Sequence, residues 1–299
     1  MRVFVTGATG FIGSAVVKEL IEAGHHVVGL ARSDKTAAAL TAAGAEVHRG
    51  SLDDLESLRS GAAAADGVIH LAFKHDFSDY AGAVAADLRA VEAMGEVLEG
   101  SGKPFVITSG TLMLTFVLPA GQLGTEKDAV NASVPRGAAE NAAVALAERG
   151  VRSAVVRLAP SVHGETKAGF VSMLIDIARD KGVSAYIGDG SNRWPAVHYL
   201  DAARLFRLAL EAAPAGSILH GVGDEGVPVR DIAHIIGHRL NLPVVSIPRE
   251  EADAHFGFFG AFASTDNPTS SALTQERLGW RPTHPTLIVD LEEGRLFND

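Results

Sequence analysis

The sequence contains no cysteine, which excludes disulfide bonds, thiolate catalysis and thiolate metal sites. Aromatic residues make up only 6% of the chain, and tyrosine occurs three times. Acidic residues outnumber basic ones, 36 to 26, which gives a formal net charge of -10 at pH 7. No basic stripe stands out along the chain. These features argue against nucleic acid as a partner.

Long apolar runs are absent as well. The longest stretch with few interruptions, residues 112–120, is too short to cross a bilayer. The chain starts Met1-Arg2-Val3 and passes at once into an apolar strand pattern, which is not the pattern of a signal peptide. We therefore expect a cytoplasmic protein with no membrane partner. Its 299 residues, 47% of them hydrophobic, suffice for one large or two interleaved domains with a full core.

Short apolar segments alternate with helical patterns through the first half of the chain. Strands are predicted at residues 2–5, 26–30, 45–48, 67–71, 105–108 and 154–158, with helices between them. Short apolar strands separated by helices predict a parallel sheet that carries helices on both faces. The fold class is therefore α/β, with a Rossmann-type doubly wound parallel sheet.

The pattern loosens after Pro160. Helices are predicted at 168–181 and 200–212, strands at 218–221 and 244–247, and a polar glycine-rich loop at 187–192. We predict a nucleotide-binding domain over residues 1–160, to which residues 197–225 return. Residues 161–299 are predicted to form a smaller C-terminal α/β lobe that binds the substrate.

A glycine-rich turn joins the first strand to the first helix. Three glycines at a spacing of three let the backbone bend tightly and approach a pyrophosphate without interfering side chains. The amides at the start of the helix, together with the helix dipole, can hold the phosphate oxygens. The turn therefore predicts a bound nucleotide. The predicted contacts are Gly7, Thr9, Gly10, Phe11, Ile12 and Gly13.

The second strand is followed by Arg32 and Ser33. An enzyme that uses NAD often has an acidic residue at this point, which bonds the ribose hydroxyls. A guanidinium instead matches the oxygens of a 2′-phosphate in a bidentate fork. We therefore predict NADP rather than NAD as the cofactor. The alternatives are that Arg32 is only a solvated loop residue and that Asp34 contacts the ribose.

Several motifs in a fixed order resemble the short-chain dehydrogenase/reductase superfamily, and they cover essentially the whole chain. The extended branch, which includes NAD-dependent epimerases, dehydratases and hydroxysteroid dehydrogenases, fits best. The motifs are TGATGFIGS at 6–14, VIHLA at 68–72, TSGT at 108–111, RLAPSVHG at 157–164, VHYLDAA at 197–203, SS at 270–271 and LGWRP at 278–282.

The resemblance implies further cofactor contacts along the nucleotide path. Ser51 and Leu52 would flank the adenine, and Pro160 and Val162 would lie next to the nicotinamide. The ribose and phosphate path would be lined by Leu71, Ala72 and Phe73. Core packing is the alternative role for Leu52, Leu71 and Val162. The resemblance alone also implies a homodimer through the helices at 79–99 and 138–149.

The usual catalytic pair of this superfamily is missing from the sequence. Members generally use a tyrosine and, four residues later, a lysine that lowers the tyrosine pKa from about 10 towards neutrality. Aligning Glu140 with the glutamate that often follows puts Arg136 in the lysine position and Ala132 in the tyrosine position. No tyrosine occurs between positions 80 and 186, and Lys127 is the only lysine between positions 103 and 167. The chain thus resembles the atypical members of the superfamily, which lack the standard proton donor.

Other residues are candidates for the remaining catalytic roles. Ser109 stands where the family has a serine that orients the substrate oxygen, and Thr111 is close by. Arg136 is expected to hold the nicotinamide ribose and to stabilise a developing oxyanion. The candidates for the proton donor are His163, His198, Tyr199 and Tyr80, although a lone histidine is more often structural.

The second lobe supplies candidates for substrate contacts. These are Arg193 and Trp194, with a packing corner as the alternative, beside the two histidines already named. Four phenylalanines between positions 256 and 262 predict either a hydrophobic plug or the lining of a pocket for an apolar substrate. His234 and His238 share a helix face but have no HExxH motif around them, so no metal site is predicted.

The function predicted from the sequence is an NADP-dependent oxidoreductase that reduces a small carbonyl compound, apolar if the phenylalanines line the pocket. A histidine, a tyrosine outside the usual position or water would supply the proton. One alternative is an epimerase or dehydratase that retains its cofactor. The other is a sensor or regulatory protein that binds NADP without catalysis. The missing tyrosine favours the sensor, whereas the polar loop at 188–194 and the intact second lobe favour the enzyme.

Overall fold

The computed structural model describes residues 1–74, 79–165 and 169–297. Its strands are β1 (Arg2–Thr6), β2 (His26–Ala31), β3 (Glu46–Arg49), β4 (Gly67–His70), β5 (Pro104–Gly110), β6 (Arg152–Leu158), β7 (Ser161–His163), β8 (Ser184–Ile187), β9 (Arg193–His198), β10 (Ser217–Gly221), β11 (Asp224–Pro228) and β12 (Val244–Ile247). The eight strands predicted from the sequence are all present, and their ends agree within two residues.

Helices connect most of these strands. They are α1 (Phe11–Glu22), α2 (Asp34–Ala42), α3 (Leu55–Ala63), α4 (Tyr80–Leu98), α5 (Gly137–Ala145), α6 (Gly169–Lys181), α7 (Tyr199–Ala212), α8 (Val229–Leu240), α9 (Ala252–Phe256), α10 (Gly260–Ala263), α11 (Ala272–Leu278) and α12 (Leu287–Glu292). The predicted start of the sixth helix, position 168, lies outside the described residues. Over the described ranges, none of the helices combines the length and the apolar character needed to span a membrane.

The central sheet contains seven parallel strands in the order β3-β2-β1-β4-β5-β6-β10. From β1 the chain moves outwards to β2 and β3, and then returns to the other side of β1 to form β4. This reversal leaves a crevice beyond the carboxyl ends of β1 and β4, where doubly wound sheets bind their ligands. The predicted Rossmann-type fold is therefore confirmed.

Apolar layers cover both faces of this sheet. On one face α1 and α7 pack on the strands through fully buried side chains such as Val16, Leu20 and Phe206. On the other face α3, α4 and α5 pack through Leu58, Met94 and Leu146. The buried positions of α1 recur at helical spacing, because its sequence repeats apolar residues every three to four positions.

A separate core cluster, drawn from residues 171–296, and two short sheets, β11-β9-β7 and β12-β8, lie in the C-terminal half of the chain. Trp194, predicted as a corner or a substrate contact, lies within β9 and is 1% exposed. Two of the four phenylalanines, Phe256 and Phe259, are buried in this core, where Phe259 packs edge-to-face on Trp194. Both phenylalanines therefore serve as the hydrophobic plug.

A buried ion pair joins β6 to α5. The guanidinium of Arg157 is fully buried, and its Nε donates to both carboxylate oxygens of Glu140, at 3.2 and 3.0 Å. The ring of His220 on β10 lies beside it, with Nε2 3.3 Å from Arg157. Burial lowers the pKa of His220 to about 4, and the positive charge of Arg157 acts in the same direction. The histidine is therefore neutral in the folded protein at neutral pH.

This buried histidine makes stability depend on pH. An unfolded histidine titrates near pH 6.5, so acidification between about pH 6.5 and about pH 4 protonates the unfolded chain while His220 stays neutral in the folded protein. The free energy of unfolding should therefore fall with acid by up to about 1.4 kcal/mol per pH unit for each such group. His198, whose pKa burial also lowers to about 4, adds to this slope.

Urea unfolding measured at neutral and at acidic pH tests this expectation. The variant His220→Gln removes one of these titrating groups, so its pH slope should be shallower than that of the wild type. Comparing slopes rather than absolute stabilities removes any packing defect that the substitution introduces. A variant with the wild-type slope would contradict the assignment.

Candidate functional site

A cleft of about 730 Å³ opens at the carboxyl ends of the strands around β1. It is lined by Gly7, Thr9, Gly10, Leu30, Arg32, Thr36, Gly50, Ser51, Leu52, Asp53, Leu71, Ala72, Phe73 and Lys74. Nine of these residues were singled out from the sequence as cofactor contacts: Gly7, Thr9, Gly10, Arg32, Ser51, Leu52, Leu71, Ala72 and Phe73. The structure thus brings together residues from four separate strand ends at the switch point of the sheet.

Close packing of the backbone requires the glycines of the first turn. Gly7 has a φ of +68°, and a Cβ added there would lie 2.7 Å from the amide nitrogen of Ala72. A Cβ at Gly13 would lie 1.9 Å from the carbonyl oxygen of Gly7. The segment 71–72 can therefore approach the turn closely only because Gly7 has no side chain, and helix α1 can do so only because Gly13 has none.

The first turn of α1 is left open towards the cleft. Gly10 is the N-cap residue, and it provides no side-chain hydrogen bond to the amides of the first turn. These amides are the groups that hold phosphate oxygens at a helix N-terminus. Together with the glycine packing and the apolar walls formed by Leu30, Leu52 and Leu71, they fit a dinucleotide.

The edge of the cleft beyond β2 is rich in cations. Arg32 is exposed and lines the cleft. The hydroxyl of Ser33 caps α2 by accepting a hydrogen bond from the amide of Thr36 at 3.2 Å. The carboxylate of Asp34 accepts from Arg49 at 2.7 Å. Asp34, the alternative ribose contact, is thus engaged with another residue, whereas Arg32 faces the cleft.

A second group of residues fixes one guanidinium beside the cleft. Arg136 donates from Nε to a carboxylate oxygen of Asp87 at 3.1 Å and from a terminal nitrogen to the carbonyl of Thr108 at 2.6 Å. The guanidinium also lies over the ring of Phe73, 4.5 Å from its centroid. Arg136 is the N-cap residue of α5 and has a φ of +62°, a conformation that residues other than glycine adopt at a cost.

A series of buried polar contacts leads from Arg136 through Asp87 and His70 to Thr6 at the end of β1. Asp87 is 2% exposed, and its carboxylate lies 3.3 Å from Nε2 of His70 at the end of β4. Nδ1 of His70 in turn lies 2.7 Å from the hydroxyl of Thr6. Burial raises the pKa of Asp87, but Arg136 and His70 outweigh it and hold that pKa below its ordinary value. Asp87 is therefore an ionised, buried anchor for Arg136.

Neither His70 nor Asp87 was singled out from the sequence. A partial signal was present for each of them. His70 is the one polar residue in the apolar VIHLA segment, and Asp87 interrupts an alanine-rich helical pattern on its buried face. A polar group placed on a buried face needs a partner, and here the two groups are partners of each other.

The hydroxyls of Ser109 and Thr111 are turned into the protein. The Ser109 hydroxyl donates to the sulfur of Met113 at 3.7 Å, and the residue is 3% exposed. The Thr111 hydroxyl donates to the side-chain carbonyl of Asn267 at 3.0 Å, and the residue is fully buried. A substrate oxygen would have to displace these partners before either hydroxyl could orient it.

The predicted histidines His163 and His198 form a buried cluster. Nδ1 of His163 lies 2.7 Å from a carboxylate oxygen of Asp290, and His198 stacks on His284 with ring centroids 4.6 Å apart. Burial and the neighbouring His163 lower the pKa of His198 to about 4. A neutral, buried imidazole is a poor proton donor at neutral pH, so the structure favours packing over catalysis for His198.

The remaining predicted contacts also pack within the protein. Trp194 donates from its indole nitrogen to the carbonyl of Thr265 at 3.2 Å, and Arg193 pairs with Asp266 at 2.9 Å. Both residues therefore anchor the segment 265–266, and Trp194, being buried, does not face a substrate.

The apolar candidates beside the glycine turn likewise pack. Phe11 stacks on Tyr199 at 5.1 Å between ring centroids, and Ile12 packs against the apolar core. Val162 is 8% exposed, and the adjoining Pro160 is half-buried. Among the described residues, no cluster of three histidine, aspartate or glutamate side chains is arranged to hold a metal ion.

A doubly wound parallel sheet with a glycine turn at its switch point defines a dinucleotide-binding protein. The chain belongs to the NAD dependent epimerase/dehydratase family, whose model matches residues 3–220. Members of the surrounding superfamily are NAD(P)-dependent oxidoreductases, epimerases and dehydratases.

The chain is also similar to individual proteins. An uncharacterized protein of Schizosaccharomyces pombe is 54% identical over 298 residues, covering 99% of this chain and 100% of that protein. The 2'-dehydrokanamycin reductase of Streptomyces kanamyceticus is 29% identical over 258 residues, covering 84% of this chain and 71% of that protein. The fold is similar to that of the dTDP-glucose 4,6-dehydratase DesIV of Streptomyces venezuelae with NAD bound, with a TM-score of 0.77, 19% identity, and coverage of 99% of this chain and 96% of that one.

Proposed function

We propose that the protein is an NADP-dependent reductase of a small carbonyl compound. The observation that carries this proposal is the fixed guanidinium of Arg136 beside the nucleotide cleft. A left-handed backbone and a buried carboxylate both oppose folding unless something compensates for them, and here both serve to position this one cation. Strain of this kind clusters at active sites, ligand clamps and switch regions, so it marks Arg136 as a functional residue.

The nicotinamide cofactor, when bound, supplies the hydride that reduces the carbonyl carbon. The chain's own residues do the rest. The glycine turn and the first amides of α1 would hold the pyrophosphate, and Arg32 would hold the 2′-phosphate. Arg136 would hold the nicotinamide ribose and stabilise the negative charge that develops on the carbonyl oxygen.

The substrate is proposed to bind between the two lobes. A pocket of about 220 Å³ lies between the segments 114–122 and 264–268, next to Thr111 and its partner Asn267. Its lining mixes apolar side chains such as Leu114 and Leu118 with polar ones such as Gln122. A small substrate with both apolar and polar parts would fit such a lining. The Streptomyces kanamyceticus relative is by its name a reductase, which is the reaction class proposed here.

A sensor that binds the cofactor without catalysis is the second candidate. The hydroxyls of Ser109 and Thr111 already have hydrogen-bond partners inside the protein, which favours the sensor.

A panel of aldehydes and ketones, tested with NADPH by the loss of its absorbance, separates the two functions. Turnover of any carbonyl supports the reductase, whereas tight NADPH binding without turnover across the panel supports the sensor.

The preference for NADP depends on Arg32. Charge-assisted hydrogen bonds contribute about 1.5 to 3 kcal/mol each, so Arg32→Ala should weaken NADPH binding by roughly 10- to 100-fold. NADH lacks the 2′-phosphate, and its affinity should change little. Fluorescence titration of both cofactors measures the two dissociation constants.

Arg49→Ala is the matched control. Arg49 is a cation at the end of the neighbouring strand β3, and it pairs with Asp34. This variant should leave the ratio of the NADPH and NADH affinities unchanged. Equal losses for the two cofactors in Arg32→Ala, or a wild type that binds NADH more tightly, would contradict the assignment.

A further inference from the structure

The protein has three tyrosines from which a proton donor of the family's usual type could come. Tyr186 lies on β8 in the small lobe, where it packs against His234 at 6.0 Å between ring centroids. Tyr199 begins α7 and stacks on Phe11. Tyr80 is the first residue of α4 and is 39% exposed.

Helix α4 presents Tyr80 on the same face as the anchor of Arg136. Tyr80 and Asp87 are seven residues apart, which is two helical turns, so their side chains leave the helix in almost the same direction. Asp87 accepts the hydrogen bond from Arg136. The phenol and the buried carboxylate therefore share the helix face that meets this cation.

Phe73 connects the phenol to the cofactor cleft. Its ring packs edge-to-face on Tyr80, with centroids 6.1 Å apart, and the same ring carries the guanidinium of Arg136 at 4.5 Å. Phe73 itself lines the cleft. The ring of Tyr80 and the guanidinium of Arg136 thus both pack on Phe73, which forms part of the cleft wall.

We propose that Tyr80 is the proton donor of the reaction and that Arg136 is the cation that stabilises its anion. This inference rests on the proposed reductase function. The proton leaves the Tyr80 hydroxyl and forms an O–H bond on the carbonyl oxygen, which has taken the electron pair of the broken C=O π bond. The two electrons would come with the hydride of the reduced nicotinamide cofactor, which would form the new C–H bond on the carbonyl carbon and leave the cofactor oxidised. The phenolate then regains a proton from the solvent.

The electrostatics of Tyr80 suit this role. Burial raises its pKa and the charge of Asp87 acts in the same direction, while Arg136 lowers the pKa. The phenol therefore stays protonated at neutral pH and carries the proton that the reaction needs. Arg136 stabilises the phenolate at the moment it forms, which is the task that the lysine performs in the usual pair.

Two measurements test the proposal, using the full-length protein with NADPH and a carbonyl substrate taken from the panel. Tyr80→Phe keeps the ring on Phe73 but removes the proton, so kcat should fall by roughly 100-fold or more while the dissociation constant of NADPH stays unchanged. Tyr186→Phe, far from the cleft, is the matched control and should retain wild-type kcat.

The second measurement does not depend on turnover. NMR of the protein with carbon-labelled tyrosine follows the ionisation of each phenol, and Tyr80→Phe identifies the signal of Tyr80. Removing the cation in Arg136→Met should raise the ionisation midpoint of Tyr80 by about one pH unit or more. Should that variant fail to fold, Asp87→Asn removes the opposing charge and should lower the midpoint.

The outcomes separate this inference from the function on which it rests. Wild-type kcat in Tyr80→Phe, with turnover established, overturns the donor role alone. A Tyr80 midpoint that is insensitive to the charge changes overturns the pairing with Arg136. Failure of the wild type to reduce any carbonyl overturns the reductase function, and the donor role with it.

Discussion

Replacing Arg136 with methionine is expected to abolish carbonyl reduction and to lower the free energy of unfolding by about 3 kcal/mol. Asp87 would remain buried at 2% exposure with the ring of His70 as its neighbour, and the carbonyl of Thr108 would lose its donor. Removing one member of a buried ion pair destabilises because the other charge stays desolvated. Urea unfolding and steady-state kinetics measure the two effects.

The double variant Arg136→Met with Asp87→Asn separates the two roles of the arginine. Because it removes both charges, it should recover part of the lost stability. It should not recover activity, because the cation beside the cleft is still missing. A single variant Arg136→Met that is as stable and as active as the wild type would show that the guanidinium is only a surface group.

Substitution of alanine for Gly13 is expected to remove both cofactor binding and a large part of the stability. Its Cβ would lie 1.9 Å from the carbonyl oxygen of Gly7, so α1 must move away from the turn. Overpacking of this kind costs about 1 to 3 kcal/mol. The shift of α1 also displaces the amides that would hold the pyrophosphate, so NADPH affinity should fall by at least about 100-fold, or about 2.7 kcal/mol.

Gly10→Ala is the matched variant, because it tests binding without the clash. Gly10 has a φ of -74°, which alanine adopts freely, and its Cβ would meet only the Gly7 carbonyl, at 3.3 Å. We expect a melting temperature near that of the wild type. The loss of NADPH binding should be similar to that in Gly13→Ala, because Gly10 lines the cleft and the added methyl group would occupy space there. Undiminished NADPH binding in both variants would mean that this cleft is not the cofactor site.

The first half of the fold was predictable because its signals are local. Each strand of the central sheet up to β6 is a short apolar run bounded by helical patterns, and parallel pairing follows from that alternation. The strands β7, β8, β9 and β11 were not predicted. They are three to six residues long and contain residues such as Arg193, Pro195 and Gly226 that are unusual in strands. Pairing with distant segments, rather than their own composition, makes them strands.

The residues of the candidate site likewise fall into those that the local sequence could indicate and those that it could not. The glycine turn and Arg32 could be singled out because each directly follows a strand end, and the structure places both at the cleft. His70 and Asp87 were missed because their role exists only through their contacts with each other and with Arg136, 49 residues beyond Asp87. Trp194 and His198 were chosen by residue type, and the structure gives them partners inside the protein instead.

The sequence by itself therefore determined the α/β architecture, the nucleotide cleft and the absence of a tyrosine between positions 80 and 186. These properties follow from local spacing, backbone freedom at glycine and residue identity. Only the tertiary structure decided which polar groups meet around Arg136 and that Tyr80 lies on the same helix face as its anchor. Those contacts join strand ends and helices far apart in the chain, and burial makes their charges interact strongly only once the sheet has brought them together.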